Sequence, residues 1–298
     1  MTNIAFIGLG HMGGPMAVNL VKKGFSVRGF DLSPALVSDA KGAGVTSCAS
    51  LAEAVDGVEV VITMLPAGKH VLSVWQELVR TVPAGTVLID CSTIDIESAR
   101  LAHEMAAGAA CPSLDAPVSG GTGGAAAGTL TFMVGGDADV FAGAQPIFEA
   151  MGRRIILCGG ASSGQAAKIC NNMILGISMI AVCEAFVLGE KLGLSHQALF
   201  DVASVSSGQC WSLTTYCPVP GPVPTSPANA DYMPGFAAAL MLKDLKLSQA
   251  AAQATGAITP LGAKASELYN LFNQNGHGER DFSAIISLLR DQAGEGTL

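Results

Sequence analysis

The chain has 298 residues, of which half are hydrophobic and only 13% are charged, and its net charge is -8 with a pI near 5.0. This length suits about two domains and is enough to bury a sizeable core. Because the acidic balance leaves no basic surface for a polyanion, we exclude nucleic acid as a partner.

Eight cysteines and five histidines are scattered along the chain, with neither a C-x-x-C pair nor the spacing of a zinc site. We therefore expect buried thiols in a reducing, cytoplasmic setting and no metal site. Lysines follow the first apolar run instead of preceding it, so no signal peptide is predicted.

The first half of the chain alternates short apolar runs with segments of helical periodicity. The runs lie at residues 4–7, 25–30, 58–64, 87–89, 131–134 and 155–157, and the earlier ones are separated by helical intervals at 15–23, 50–55, 71–79 and 97–106. This alternation predicts an α/β Rossmann domain with a doubly wound, mostly parallel sheet.

A glycine-rich turn follows the first run and opens the first helix. Its glycines permit a tight turn, a close approach of the backbone to a pyrophosphate and close helix packing, and the helix N-terminus offers free N–H groups. Asp31 ends the second run about 20 residues on, where a carboxylate accepts the ribose hydroxyls and repels the 2′-phosphate of NADP. The predicted cofactor is NAD, and the predicted contacts are Gly8, Leu9, Gly10, His11, Met12, Gly13 and Asp31.

Two later strand ends are predicted to complete the cofactor site, because ligands of open α/β sheets bind outside the carboxyl ends of the strands. They carry Leu65 and Pro66 after one run and Thr93 after the next. An ordinary turn is the alternative at each place, and Thr93 also fits a helix N-cap.

The segment from Asp115 to Gly124, which reads DAPVSGGTGG, has few large side chains. Its consecutive glycines expose backbone N–H groups that can hold a carboxylate without a lysine or arginine. A flexible linker is the alternative.

Lys168 stands at the head of an apolar helix, in the sequence GQAAKICNN that starts at Gly164. A buried lysine is destabilised in its charged form and can then exchange protons with a substrate hydroxyl. Asn172 lies four residues on and shares the same helix face, with Asn171 beside it. The alternative is a solvated lysine on a surface helix. The apolar stretch 173–189 contains Glu184 and is shorter than the ~20 residues that a bilayer needs, so we expect a fully buried helix that joins two domains.

The last third of the chain has helical spacing at residues 196–203, 237–254 and 285–289. The stretch 218–227 is rich in proline and too irregular for a helix or strand. The glycine-rich tail at 293–298 is expected to fray. We predict three parts, which are a dinucleotide-binding domain (1–163), a long helix (164–192) and an all-α domain (193–298). A small helical domain with a long apolar helix cannot bury every apolar face alone, which favours a homodimer or homotetramer.

Four motifs in this order resemble those of the β-hydroxyacid dehydrogenases. They are GLGHMGGPMAVNL from Gly8, DAPVSGG from Asp115, GASSGQAAKICNN from Gly160 and KDLKL from Lys243. The segments around Trp211, around Tyr216 and before Phe236 are similar to those of the 3-hydroxyisobutyrate dehydrogenases within that family.

The resemblance implies a general acid/base at Lys168 and a substrate-orienting amide at Asn172. It implies a carboxylate-binding loop at Ser119, Gly120 and Gly121, a nicotinamide contact at Lys243, and substrate contacts at Asp244, Trp211 and Phe236. The implied reaction is the NAD-dependent oxidation of (S)-3-hydroxyisobutyrate to methylmalonate semialdehyde, in valine degradation.

Two alternatives remain open. One is a reductase or dehydrogenase of another short β-hydroxyacid or semialdehyde, such as tartronate semialdehyde or succinic semialdehyde, which shares Lys168 but has a different pocket around Trp211 and Phe236. The other is a non-catalytic dinucleotide-binding module, which the intact acid/base segment disfavours.

Overall fold

The computed structural model describes residues 2–294, and these form two compact units that follow each other along the chain. The first unit extends to Lys168 and the second begins at Ile169. The predicted boundaries at 163/164 and 192/193 remain a proposal.

The first unit is built on one nine-stranded sheet. Six strands run parallel in the order β3-β2-β1-β4-β5-β6, β8 pairs antiparallel with both β6 and β7, and β9 pairs parallel with β8. The strands are β1 (Asn3–Ile7), β2 (Ser26–Phe30), β3 (Thr46–Ser47), β4 (Val60–Thr63), β5 (Val87–Asp90), β6 (Ser113–Asp115), β7 (Val118–Ser119), β8 (Leu130–Gly136) and β9 (Gly152–Gly159).

Helices cover both faces of this sheet, as the alternation of side chains along β1 shows. Ile4 and Phe6 belong to one apolar core, and Ala5 and Ile7 belong to a second core on the opposite face. The helices of this unit are α1 (Gly13–Lys22), α2 (Pro34–Gly42), α3 (Leu51–Val55), α4 (Gly68–Thr81), α5 (Ile96–Gly108), α6 (Gly121–Ala127) and α7 (Ala138–Met151). The predicted doubly wound, mostly parallel sheet is confirmed.

The glycine-rich segment after Asp115 is ordered, so the alternative of a flexible linker is wrong. Val118 and Ser119 form β7 against β8, and a short helix, α6, begins at Gly121. Ala125 in α6 is fully buried against the core. Packing and strand pairing therefore override the low structural propensity of the glycines.

The second unit is helical. The long helix α8 (Ser163–Lys191) starts in the first unit and continues into the second, where it is followed by α9 (His196–Ala203), α10 (Trp211–Thr214), α11 (Ala238–Thr255), α12 (Pro260–Phe272) and α13 (Ile285–Gly294). One apolar core unites these elements around Phe186, Met241 and Tyr269. The predicted all-α C-terminal part is confirmed. Of the tail predicted to fray (293–298), residues 293 and 294 belong to α13, and residues 295–298 lie outside the described range.

Two expectations about burial are wrong. Helix α8 is not fully buried, since Ile174 is 64% exposed and Leu188 is 60% exposed. By length and composition this helix could cross a membrane, a property that core helices of soluble proteins share. Among the cysteines, Cys170 is exposed and Cys158 and Cys210 are half-buried, whereas the other five are buried.

Candidate active site

The predicted cofactor turn connects β1 to α1 through a crowded backbone. Gly8 has a φ of +95°, and a Cβ there would collide with the Met64 carbonyl oxygen. A Cβ at Gly13 would collide with the Gly8 carbonyl oxygen, so α1 lies against the turn. By contrast, apart from its two chain neighbours, no described residue has a heavy atom within 4 Å of the Cβ position of Gly10. The turn therefore offers open space at Gly10, where the sequence predicts the pyrophosphate.

The N-terminus of α1 suits an anion. Its N-cap residue Met12 makes no side-chain cap hydrogen bond, and His11 beside it is exposed. N–H groups at such a helix end, together with the helix dipole, bind phosphate groups.

Asp31 lies directly beside this turn. Its Oδ2 accepts a hydrogen bond from the Leu9 N–H (2.7 Å), and its Oδ1 accepts one from the Ser33 N–H (2.8 Å). The carboxylate thus holds the glycine turn in addition to its predicted contact with ribose. Each carboxylate oxygen has a further lone pair for a hydroxyl.

A buried polar network holds the next two strand ends. Asp90 Oδ1 accepts hydrogen bonds from the hydroxyls of Thr63 (2.7 Å) and Ser92 (2.6 Å), and the Ser92 hydroxyl accepts one from the Leu65 N–H (2.8 Å). Asp90 Oδ2 is buried and has no hydrogen-bond partner among the described residues. Burial raises the pKa of Asp90 from 3.8 to about 6, against the opposing effect of its hydrogen bonds to Ser92 and Thr63. The network fixes Leu65 relative to the strand end that carries Thr93.

Thr93 is not the N-cap of the following helix. Helix α5 begins at Ile96, and its N-cap is Asp95, whose side chain accepts the Ser98 N–H. Thr93 is half-buried in the preceding turn. Its side chain is therefore not used as a helix cap, and its predicted role at the cofactor remains a prediction.

The predicted carboxylate-binding residues lie where β7 turns into α6. Ser119 is half-buried at the end of β7, and Gly120 has a φ of +134° as the N-cap of α6. Gly121 follows with a φ of +61°. Glycine is favoured at both of these dihedrals, and the side-chain-free turn leaves backbone groups accessible beside the Ser119 hydroxyl.

Asp115 fixes the start of the helix that carries Lys168. Its Oδ1 accepts hydrogen bonds from the Ser162 N–H (2.8 Å) and from His103 Nε2 (3.0 Å), and its Oδ2 accepts one from the Gln165 N–H (2.8 Å). A Cβ at Gly164 would collide with the Met133 carbonyl oxygen, so the first turn of α8 lies directly on the sheet. Sequence reasoning treated Asp115 only as part of a motif, whereas the structure makes it the cap of α8.

Lys168 and Asn172 lie one turn apart in α8, and both are buried, at 6% and 2% exposure. The alternative of a solvated surface lysine is therefore wrong. Asn172 Nδ2 donates a 2.5 Å hydrogen bond to Asp244 Oδ2, and Asn172 Oδ1 accepts one from Asn171 Nδ2 (3.0 Å). Asp244 is 4% exposed in α11, with Lys243 half-buried next to it. The second unit thus brings together the predicted orienting amide and the predicted C-terminal carboxylate.

The two predicted pocket residues of the second unit belong to one row of aromatic rings. Trp211 stacks on Tyr216 with a centroid distance of 4.9 Å, Tyr216 stacks on Phe282 at 5.2 Å, and Phe282 meets Phe236 edge-on at 5.8 Å. Trp211 is 49% exposed at one end of the row. The row therefore brings two residues that are 25 positions apart in sequence into one group of packed rings.

Asp281 anchors this aromatic row and was missed by sequence reasoning. It is fully buried, and its Oδ2 accepts hydrogen bonds from the Tyr216 hydroxyl (2.8 Å) and the N–H groups of Gly235 (3.0 Å) and Phe236 (3.1 Å). Its Oδ1 accepts two more, from the N–H and hydroxyl of Ser283. Burial, reinforced by the charge of Asp281, raises the pKa of Tyr216, so the phenol stays a hydrogen-bond donor.

Among residues 2–294 no group of three or more His, Cys, Asp or Glu side chains is arranged to hold a metal ion. The groups that can act chemically are therefore a helix N-terminus and carboxylate suited to a dinucleotide, a buried lysine, and a buried amide. This set matches proton transfer combined with a dinucleotide cofactor.

Comparison with known proteins agrees with this chemistry. Residues 3–160 match the model of the NAD binding domain of 6-phosphogluconate dehydrogenase, and residues 162–289 match the model described as NAD-binding of NADP-dependent 3-hydroxyisobutyrate dehydrogenase. A probable 3-hydroxyisobutyrate dehydrogenase of Mycobacterium tuberculosis is 53% identical over 98% of this chain and 99% of its own length. An NAD-dependent L-serine dehydrogenase of Pseudomonas aeruginosa is 48% identical over 99% of this chain and all of its own length.

A solved structure is similar over the same extent. The Mycobacterium tuberculosis 3-hydroxyisobutyrate dehydrogenase with L-serine superposes with a TM-score of 0.95, at 53% identity, over 97% of this chain and 99% of that one. The predicted family, fold and NAD cofactor are thereby confirmed. The chain belongs to the β-hydroxyacid dehydrogenase family, as an NAD-binding relative of the 3-hydroxyisobutyrate dehydrogenases.

Proposed function

We propose that this enzyme oxidises (S)-3-hydroxyisobutyrate to methylmalonate semialdehyde in valine degradation. The family membership supports an NAD-dependent hydroxyacid dehydrogenase, and the relatives named 3-hydroxyisobutyrate dehydrogenase support this substrate. The observation that carries the mechanism is the burial of Lys168, at 6% exposure, one helical turn from the buried amide of Asn172.

The first unit would hold the cofactor. Backbone N–H groups between Gly8 and Gly13 would bind the pyrophosphate, Asp31 would accept the ribose hydroxyls, and Leu65, Pro66 and Thr93 would border the remainder of NAD, with Lys243 near nicotinamide. The open space at Gly10 supports this placement. When bound, NAD⁺ supplies the hydride acceptor.

The protein would supply positioning and proton transfer. Ser119, Gly120 and Gly121 would bind the substrate carboxylate, and Asn172, held by Asp244, would orient the hydroxyl. Lys168 Nζ would remove the hydroxyl proton as the hydroxymethyl carbon gives up its hydride, which leaves the aldehyde. In the reverse direction the same ammonium would return the proton.

The test is Lys168→Ala, with Lys191→Ala as a matched control on an exposed lysine of the same helix. We expect Lys168→Ala to bind NAD with unchanged affinity and to lose about 10²- to 10⁴-fold in kcat, the usual contribution of a general acid/base. The control should keep its kcat. Full turnover by Lys168→Ala would remove Lys168 from the mechanism.

L-serine is a second candidate substrate. One relative is an L-serine dehydrogenase, and the similar solved structure is of an enzyme with L-serine. Both molecules carry a hydroxymethyl group next to the carbon that bears the carboxylate, and they differ in a methyl versus an ammonium at that carbon. A panel of both substrates with NAD⁺, and of tartronate semialdehyde and succinic semialdehyde with NADH, would rank them by kcat/KM. A higher kcat/KM for any other member of the panel would displace 3-hydroxyisobutyrate.

We also propose that the enzyme is a cytoplasmic homodimer or homotetramer. Within the second unit, Val205 is 84% exposed, Leu192 is 71% exposed, and Ile174 and Leu188 are also largely exposed. Apolar surface of this kind is usually covered by a partner subunit. Light scattering coupled to gel filtration measures the mass directly, and a monomer at micromolar concentration would refute the proposal.

A further inference from the structure

Gln165 is a fully buried polar side chain whose two ends are both hydrogen-bonded. Its Oε1 accepts the Ile94 N–H (3.1 Å), and its Nε2 donates to the Ser92 carbonyl oxygen (2.7 Å). Ser92 and Ile94 are the two neighbours of Thr93. The amide of Gln165 therefore brackets Thr93 on both sides of the backbone.

The backbone of Gln165 is fixed as well. Its N–H donates to Asp115 Oδ2 (2.8 Å), at the end of a neighbouring strand. Gln165 thus ties the first turn of α8 to β6 through its backbone and to the turn after β5 through its side chain. Lys168 follows three residues later, on the next turn of the same rigid helix.

We infer that Gln165 is a positioning residue that sets the place of the Lys168 side chain relative to the Thr93 turn. The inference rests on the proposed function, in which Lys168 transfers the proton and Thr93 borders the cofactor. A side chain that only filled space would need no polar ends at this site, whereas both polar ends of Gln165 meet the same short turn. Displacing a reacting group by about 1 Å can cost about 100-fold in rate, so a constraint of this kind bears directly on kcat.

The first test replaces the amide by an apolar group of similar length, in Gln165→Met. Gln145→Met is the matched control, because Gln145 is an exposed helical glutamine of the same unit whose side chain donates a hydrogen bond to Glu149. We expect Gln165→Met to lose about 10- to 100-fold in kcat, while its dissociation constant for NAD changes less than about threefold. The control should match the wild type in both.

A deuterium isotope effect distinguishes positioning from a general loss of structure. With substrate deuterated at the hydroxymethyl carbon, misplacement of Lys168 slows the chemical step, so the isotope effect on kcat should rise above that of the wild type. A partly unfolded preparation loses kcat in proportion to its active fraction and keeps the wild-type isotope effect. A fall in kcat without a rise in the isotope effect would overturn the inference.

The second variant, Gln165→Glu, tests the donor to Ser92 separately. A neutral glutamic acid can donate to the Ser92 carbonyl and accept from Ile94, whereas a carboxylate can only accept. The ratio of the kcat of Gln165→Glu to that of the wild type should therefore rise as the pH falls. The titratable groups of the surrounding elements are present in both enzymes, so the ratio removes their common effect; they include Asp90, Cys91, Asp95, His103, Asp115 and Lys168. A ratio independent of pH would count against the inference, and this variant decides alone if Gln165→Met does not fold.

The test of Gln165 and the test of the proposed function can fail independently of each other. The ratios are measured with whichever hydroxyacid the wild type oxidises best, so a different substrate leaves the test intact. If Lys168→Ala keeps full turnover, the proposed role of Lys168 fails whatever Gln165 does. If Lys168→Ala is inactive and Gln165→Met keeps wild-type kcat, only the inference about Gln165 fails.

Discussion

Replacing Asp281 by asparagine tests whether one buried carboxylate holds the aromatic row together. Asp281 accepts five hydrogen bonds, three at Oδ2 and two at Oδ1. An asparagine has the same shape but presents an amide NH₂ in place of one oxygen. In either orientation of the asparagine amide, its NH₂ group faces at least one backbone N–H, and two donors cannot form a hydrogen bond with each other.

The magnitude follows from the better of the two orientations. With the asparagine oxygen towards Tyr216, Gly235 and Phe236, three charge-assisted bonds become neutral, at a cost of about 1 kcal/mol each. The Ser283 N–H faces the NH₂ and is left unsatisfied, which costs about 1–3 kcal/mol. The lower desolvation cost of a neutral side chain offsets part of this sum. We expect a net loss of about 2–4 kcal/mol, or roughly 6–12 °C in Tm.

Calorimetric melting of three variants checks this estimate. Tyr216→Phe removes only the phenol donor and should cost about 1–2 kcal/mol, less than Asp281→Asn. Asp137→Asn is the control, because Asp137 is an exposed N-cap of α7 and asparagine caps a helix equally well. A Tm for Asp281→Asn within about 2 °C of the control would refute the view that the carboxylate anchors the row.

Three further outcomes follow from the site. Asp31→Asn keeps one acceptor for the glycine turn but removes the negative charge. The ratio of kcat/KM with NADP to kcat/KM with NAD should therefore rise about tenfold or more. An unchanged ratio would exclude Asp31 as the residue that selects NAD over NADP. Burial raises the pKa of Asp90 from 3.8 to about 6. The contribution of Asp90 to the free energy of unfolding should therefore be highest below about pH 4 and fall by roughly 3 kcal/mol as the pH rises through about 6. Asp90→Asn should flatten that part of the denaturation free energy measured from pH 4 to 7, and a slope equal to that of the wild type would contradict the assignment. If Phe236 contacts the substrate methyl, the wild type should prefer 3-hydroxyisobutyrate about fourfold over 3-hydroxypropionate, which lacks the methyl. Phe236→Ala should abolish this preference. If the preference persists in Phe236→Ala, Phe236 does not contact the methyl.

The elements that sequence analysis located are those whose signal is local. The run at β1, the glycine turn and α1 form one continuous pattern, and the structure has them within two residues of the prediction. Helix α7 has Pro146 in its interior, small residues and no strong polar face, and was not predicted. Strands β3 and β7 have two residues each, too few to show a period. What placed them is pairing with a neighbouring strand, which the sequence does not display.

The same distinction applies to the candidate site. Gly8, Asp31 and Lys168 could be singled out because each has a chemical reason to stand in its own short motif. Asp115, Gln165 and Asp281 could not, because most of their hydrogen-bond partners lie between 45 and 73 positions away in sequence. Their hydrogen bonds depend on which strands and helices become neighbours, and that is known only from the fold.

A sequence that keeps Lys168 and the glycine turn satisfies every local requirement of the proposed mechanism. Yet the start of α8 is held by Asp115, Gln165 and the absence of a side chain at Gly164, and none of these three touches the reacting groups in the proposed mechanism. A larger residue at position 164 would push α8 off the sheet and move Lys168 with it. Chains that retain the lysine but lose this support should therefore bind NAD and turn over slowly, and the lysine alone is not sufficient grounds to infer an efficient dehydrogenase.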